Sequence, residues 1–139
     1  MDELEAIIVL ILLVLMCVKN AFSLIIALRF RRDLKEEAFS CCEGTVVQAA
    51  GTVNRSYDSR SLVIAEYTAD DRQVRGWMIC GCDGRLEVGD TVTVIVPEFT
   101  PKVFAFSEEQ VKHAVRKYSV MTVALTFITT LIFVVRALG

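Results

Sequence analysis

The sequence predicts an α+β membrane protein, with two antiparallel transmembrane helices and a small five-stranded antiparallel β-barrel or sandwich inserted between them. Three observations predict it. Apolar runs cover Ala6–Leu28 and Tyr118–Val135, near either end of the 139 residues. Seven Lys and Arg residues flank these runs on the side facing the middle, against one, Arg136, outside. Between the runs, short alternating apolar and polar segments are separated by turn residues.

The first run would form about 34 Å of helix and the second about 27 Å, against a hydrocarbon core of about 30 Å. The expected domains are 1–35, with the span at 6–28, a β domain at 40–106, and 107–139, with the span at 118–135. The N-terminus carries Asp2, Glu3 and Glu5 and no cation, unlike the positive start of a secretory signal, so the first span is expected to remain. The inner cations are Arg29, Arg31, Arg32, Lys35, Lys112, Arg116 and Lys117. Their bias predicts N-out and C-out, with the middle domain in the cytoplasm. The same residues lie where anionic lipid headgroups would meet them.

Lys19 and Asn20 interrupt the first span. A central Lys costs about 2.5–3.5 kcal/mol on insertion scales, and the run's Leu, Ile, Val and Phe residues outweigh it. Lys19 lies about 14 Å from the inner end of its run, too deep for easy snorkelling. It therefore calls for a polar partner. Ser119, Thr122, Thr126 and Thr129 or Thr130 recur at three- and four-residue spacing on the second span, and Asn20 and Ser23 form a matching stripe on the first. Helix packing is expected through Lys19, Asn20, Ser23, Thr122, Thr126, Thr129 and Thr130, since small and hydroxylated residues join helices in lipid.

Apolar residues make up 54% of the chain, above the usual share of about 45–50%, and the excess sits in the two runs, while the net charge of −2 offers no basic surface for nucleic acid. Strands are expected at Thr45–Val53, Ser61–Thr68, Gln73–Gly81, Thr91–Val96 and Lys102–Phe106. Val63, Ala65 and Tyr67 fall on one face, and Val92, Val94 and Val96 alternate likewise. Turns are expected at Asn54-Arg55-Ser56, at Ala69-Asp70-Asp71-Arg72 and, as a tight hairpin, at Asp83-Gly84. Ser107 to Gln110 matches a capping box, so a helix should start there.

Gly44-Thr45-Val46, the strand from Val63 to Tyr67, and Val88-Gly89-Asp90 leading to Pro97 and Pro101 resemble a bacterial family. It comprises short membrane proteins known only as a domain of unknown function. The resemblance spans most of Gly44 to Lys102 and implies one β domain beside membrane helices, in the bacterial inner membrane, with no known catalysis. Members usually carry Tyr-Asp/Asn-Pro-Xaa-Xaa-Pro, whereas Ile95 to Pro101 is one residue longer and lacks the acidic or amide residue. A more distant likeness is to the cytoplasmic OB-type barrels that follow membrane helices in membrane partners of proteases.

Cys41, Cys42, Cys80 and Cys82 are the candidate metal ligands, with zinc as the ion that four thiolates would suit. Adjacent cysteines on a strand point to opposite faces, which strains such a site, and small buried hydrophobes or acylation targets are the competing readings. No cofactor is otherwise expected. Five cysteines fit a reducing compartment. His113, the only histidine, lacks a nucleophile and an orienting group nearby in sequence. Trp77, with Arg72 and Arg75, is the candidate partner surface. No phosphate loop or hydrolase motif occurs. The leading expectation is a non-enzymatic protein-interaction or assembly module. A cysteine-based metal or redox sensor or enzyme, and a small transporter subunit using Lys19, are the alternatives.

Overall fold

A computed structural model describes residues 2–51, 59–60, 62–84 and 86–139. The chain separates into two compact units, residues 1–26 with 115–139, and residues 27–114. Helix α1 spans Glu3–Lys35 and α2 spans Glu108–Leu138. Both are long and apolar enough to cross a membrane, with mean hydropathy of 2.5 and 2.1 over their most apolar stretches.

The 27–114 unit carries strands β1 (Phe39–Ala50), β2 (Ser59–Arg60), β3 (Leu62–Ala69), β4 (Arg72–Met78), β5 (Cys82–Asp83), β6 (Thr91–Pro97) and β7 (Val103–Phe104). Five form one curled, half-barrel sheet in the order β6-β1-β3-β4-β7, and β2 pairs with β5 separately. Backbone hydrogen bonds between Ile95 and Ala105, 2.7 and 3.0 Å, bring the two ends of the curl together. The sheet is mixed, which corrects the expected antiparallel arrangement. Strand β4 runs parallel to β7, pairing Trp77 with Val103 and Met78 with Phe104. Parity explains it: around an odd number of strands directions cannot alternate throughout, so one neighbouring pair must run parallel. The single curled sheet also replaces the expected sandwich.

The curl begins in β1. Its first half, Phe39–Thr45, pairs with β6, and its second half, Gly44–Ala50, pairs with β3. A register shift between Val46 and Gln48 marks a bulge, which bends a strand and increases its twist. The β3–β4 turn falls at Asp70-Asp71, where φ is +51° and +60°, as a mirror-type two-residue hairpin requires. Asp83-Gly84 does not join paired neighbours, because β6 returns to β1 and Cys82–Asp83 pairs with Ser59–Arg60. The expected turn at Asn54-Arg55-Ser56 lies outside the described residues.

Val46, Val63, Ala65, Tyr67, Met78, Val94, Val96 and Phe104 form the core. The expected inward alternation of Val63, Ala65 and Tyr67 is what the structure has. Tyr67 meets Phe104 edge to face at 5.8 Å and 81°. Its hydroxyl donates to the Pro101 carbonyl. Gly76 makes room for that ring: a Cβ there would lie 2.7 Å from Tyr67 Cζ and 2.9 Å from Cε1. The helix ends within this unit are fastened by polar contacts. Asp33 Oδ2 accepts the Phe99 N–H at 3.0 Å. Ser107 Oγ accepts the Gln110 N–H at 3.2 Å, while Gln110 Oε1 accepts from Phe106 at 2.7 Å, which is the expected capping box in slightly shifted form.

Candidate functional site

In the helix unit the joining residue is Asn20. It is 6% exposed, and its Nδ2 donates to the Tyr118 carbonyl at 3.0 Å and to Thr122 Oγ1 at 2.6 Å. Thr122 in turn donates to the Tyr118 carbonyl at 2.7 Å. Cys17 Sγ lies 3.8 Å from Thr129 Oγ1, a contact that hydrophobicity alone did not signal. Lys19 is exposed instead, along a groove of about 250 Å³ that also touches Ser23, Lys117 and Met121. Consecutive helical residues point about 100° apart, so Asn20 and Lys19 cannot both face the partner helix. Thr126 and Thr130 are exposed, and Ser23 is half-buried.

Strand β1 extends further toward its N-terminus than the sequence suggests and takes in Cys41 and Cys42, which point to opposite faces. Cys41, opposite Ile95, is exposed; Cys42, opposite Val94, packs against the core. Burial, and secondarily the nearby Cys41, pushes the Cys42 thiol up from its ordinary value. Burial likewise raises the Tyr67 phenol, with Cys42 a smaller cause. Strand β4 stops at Met78, so Cys80 and Cys82 do not share a continuous strand. Cys80 is buried, its thiol reaching the Gln110 carbonyl at 3.5 Å while Gln110 Nε2 donates to the Cys80 carbonyl at 3.0 Å. Cys82 packs against the core. Among the described residues no three His, Cys, Asp or Glu side chains are grouped to hold a metal ion.

His113 is exposed at a cavity of about 530 Å³, whose walls include Cys82, Leu86, Val92, Phe106 and Gln110. On the outer face of β3 and β4, Trp77 (44% exposed) stands beside Ile64, and Arg75 Nε pairs with Glu66 Oε1 at 2.6 Å. Leu62 is exposed on the same face. Strand alternation places Arg72 on the opposite face from Arg75 and Trp77, at the strand end, so the three candidate partner residues do not form one patch. The inner cations are exposed, except Arg31, which is half-buried.

These parts define a class: a small curled β unit carried between two long apolar helices. No protein family, no curated protein and no solved structure was found to match the chain.

Proposed function

We propose that this chain is a two-span integral protein of the bacterial inner membrane. It presents a non-enzymatic, OB-type β unit on the cytoplasmic side as a protein-interaction or assembly module. One observation carries the membrane reading. The most apolar stretches of α1 and α2 are only 6% and 0% buried, so Leu12, Leu15, Phe22, Phe127 and Leu131 lie on the surface. Each of these side chains, half to two-thirds exposed, forgoes in water a large part of the roughly 1.5–3 kcal/mol that full burial gives, a penalty that lipid removes. The basic inner flanks support the orientation. The ring order, with one parallel pair, supports an OB-type barrel. The motif resemblance agrees with this architecture and implies no catalysis.

The module reading rests on the outer face of β3 and β4, where Leu62, Ile64 and Trp77 leave an apolar surface rimmed by Arg75 and Glu66. Three measurements test the whole. The chain should stay with membranes through alkaline carbonate, and exposed Cys41 should react with an impermeant maleimide only after cells are opened. A photo-crosslinking residue in place of Trp77 should give a discrete adduct in native membranes. Release by carbonate would end the membrane reading, and absence of any adduct would end the module reading.

A further inference from the structure

We propose that a groove formed by the C-terminal turns of α1 and the first turns of α2 binds the phosphate of an anionic phospholipid headgroup. This rests on the membrane reading. Within the 27–114 unit, Arg31, Leu34, Lys35, Glu108, Val111 and Lys112 line a groove of about 280 Å³. Arg31 and Lys35 are four residues apart and so project from one helix face, and Lys112 comes from the other helix. Three cations and one carboxylate leave the groove with a net charge of +2.

Two of the nearby carboxylates have partners outside the groove. Asp33 is engaged by the Phe99 N–H, and Glu36 pairs with Arg32 at 3.3 Å. Among the described residues Arg31 and Lys35 form no ion pair. Lys112 reaches Glu109 at 3.7 Å with both side chains well exposed, an arrangement that is readily exchanged. Convergent like charges repel unless an anion lies between them. The half-buried Arg31 supplies the planar donor fork that suits phosphate oxygens.

Two features favour a lipid over free phosphate. The half-buried Leu34 gives the groove an apolar wall, which a bare ion does not use and a glycerol backbone does. Arg31 lies three residues beyond Leu28, about 4.5 Å past the end of the apolar run and so at headgroup depth. Basic pockets beside membrane helices are where anionic headgroups are held.

The test uses the full chain in phosphatidylcholine bilayers doped with spin-labelled phosphatidylglycerol or spin-labelled phosphatidylcholine, comparing the immobilised fractions. Wild type should prefer phosphatidylglycerol by about fivefold or more, since one cation near the surface contributes about 1 kcal/mol. The combined variant Arg31→Gln, Lys35→Gln, Lys112→Gln should bring the preference close to unity, and Arg31→Lys should keep part of it. The control Arg72→Gln, Arg75→Gln, Lys102→Gln should match wild type. A control that loses the preference equally overturns the site in favour of diffuse charge. Loss of the preference in inorganic phosphate, at ionic strength matched with chloride, overturns the lipid in favour of free phosphate. A chain that inserts but shows no preference overturns this proposal alone; one that fails to insert overturns the membrane reading as well.

Discussion

The two units of this chain are held together by opposite means. The β unit buries Val46, Val63, Val94, Val103 and Phe104 almost completely and closes its curl with backbone hydrogen bonds. The helix unit leaves nearly all of its large apolar residues on the outside and buries a polar one, Asn20. Burial of apolar surface is worth about 25 cal/mol per Å² only where water is the alternative. Where lipid is the surroundings, that driving force between helices vanishes, and hydrogen bonds and close packing join them. The inversion is what the proposed membrane setting of the helix unit calls for.

The largest effect that would sharpen this contrast is in the β core. Phe104→Ala removes a fully buried ring that touches Tyr67 and Phe106. It should destabilise the β unit by about 3–5 kcal/mol. Phe127→Ala, an equal truncation at a 68%-exposed helix position, should leave the β unit's stability unchanged. Denaturant unfolding followed by the fluorescence of Trp77, the chain's one Trp, reads both. Equal losses would break the comparison.

Next comes Gly76. A methyl there meets the Tyr67 ring at 2.7 and 2.9 Å and must push it off the strand, away from the Pro101 carbonyl. Gly76→Ala should cost about 1–3 kcal/mol, typical of overpacking. Tyr67→Phe, which deletes only the hydroxyl, should cost about 1 kcal/mol. If the glycine variant is as stable as wild type, the ring does not lie across β4.

These cases also show what the sequence could reveal. The inward set Val63, Ala65, Tyr67 was legible because period-2 alternation is local. So was the helix start at Ser107, because a cap and its Gln110 partner lie three residues apart. The parallel β4–β7 pair was not, since it follows from the parity of a ring whose closure at Ile95 and Ala105 spans distant segments. Nor was the room Gly76 makes for Tyr67 legible, because its cause is a contact across strands. In the helix unit the polar stripe was legible, but its phase was not: spacing alone did not say whether Lys19 or Asn20 faces Thr122. The cysteines were misjudged where a strand end was, since Cys80 and Cys82 share a face only if β4 runs on past Met78.

A smaller effect should appear at alkaline pH, again in the β unit alone. Cys42 and Tyr67 are both raised above their ordinary values of 9.0 and 10.0, chiefly by burial. As pH climbs, the unfolded chain therefore ionises these groups first and gains over the folded one. Stability should be fully present below about pH 9 and fall as pH rises through the raised values. Denaturation midpoints measured on either side of that window would show the slope. Tyr67→Phe should flatten its upper part, and an unchanged slope in that variant would remove Tyr67 from the account.

The smallest expected effect lies in the helix unit and is the most direct test of the inversion. Asn20→Leu makes α1 more apolar, so a protein held together by apolar burial would gain from it. In lipid the same change deletes two hydrogen bonds to α2 and supplies nothing equivalent, and interhelical hydrogen bonds there average about 0.6 kcal/mol, with a ceiling near 2. Helix pairing should weaken by that order. The reporter is the neighbouring contact, because Cys17 lies 3.8 Å from Thr129 and a Thr129→Cys variant can be oxidised across it in the bilayer. Asn20→Leu in that background should lower the crosslinking yield severalfold, whereas Lys19→Leu should leave it nearly unchanged, since Lys19 is exposed at the rim of the helix pair and Asn20 carries the hydrogen bonds to α2. A yield that falls for Lys19→Leu and holds for Asn20→Leu would mean that the helices turn their other face to each other.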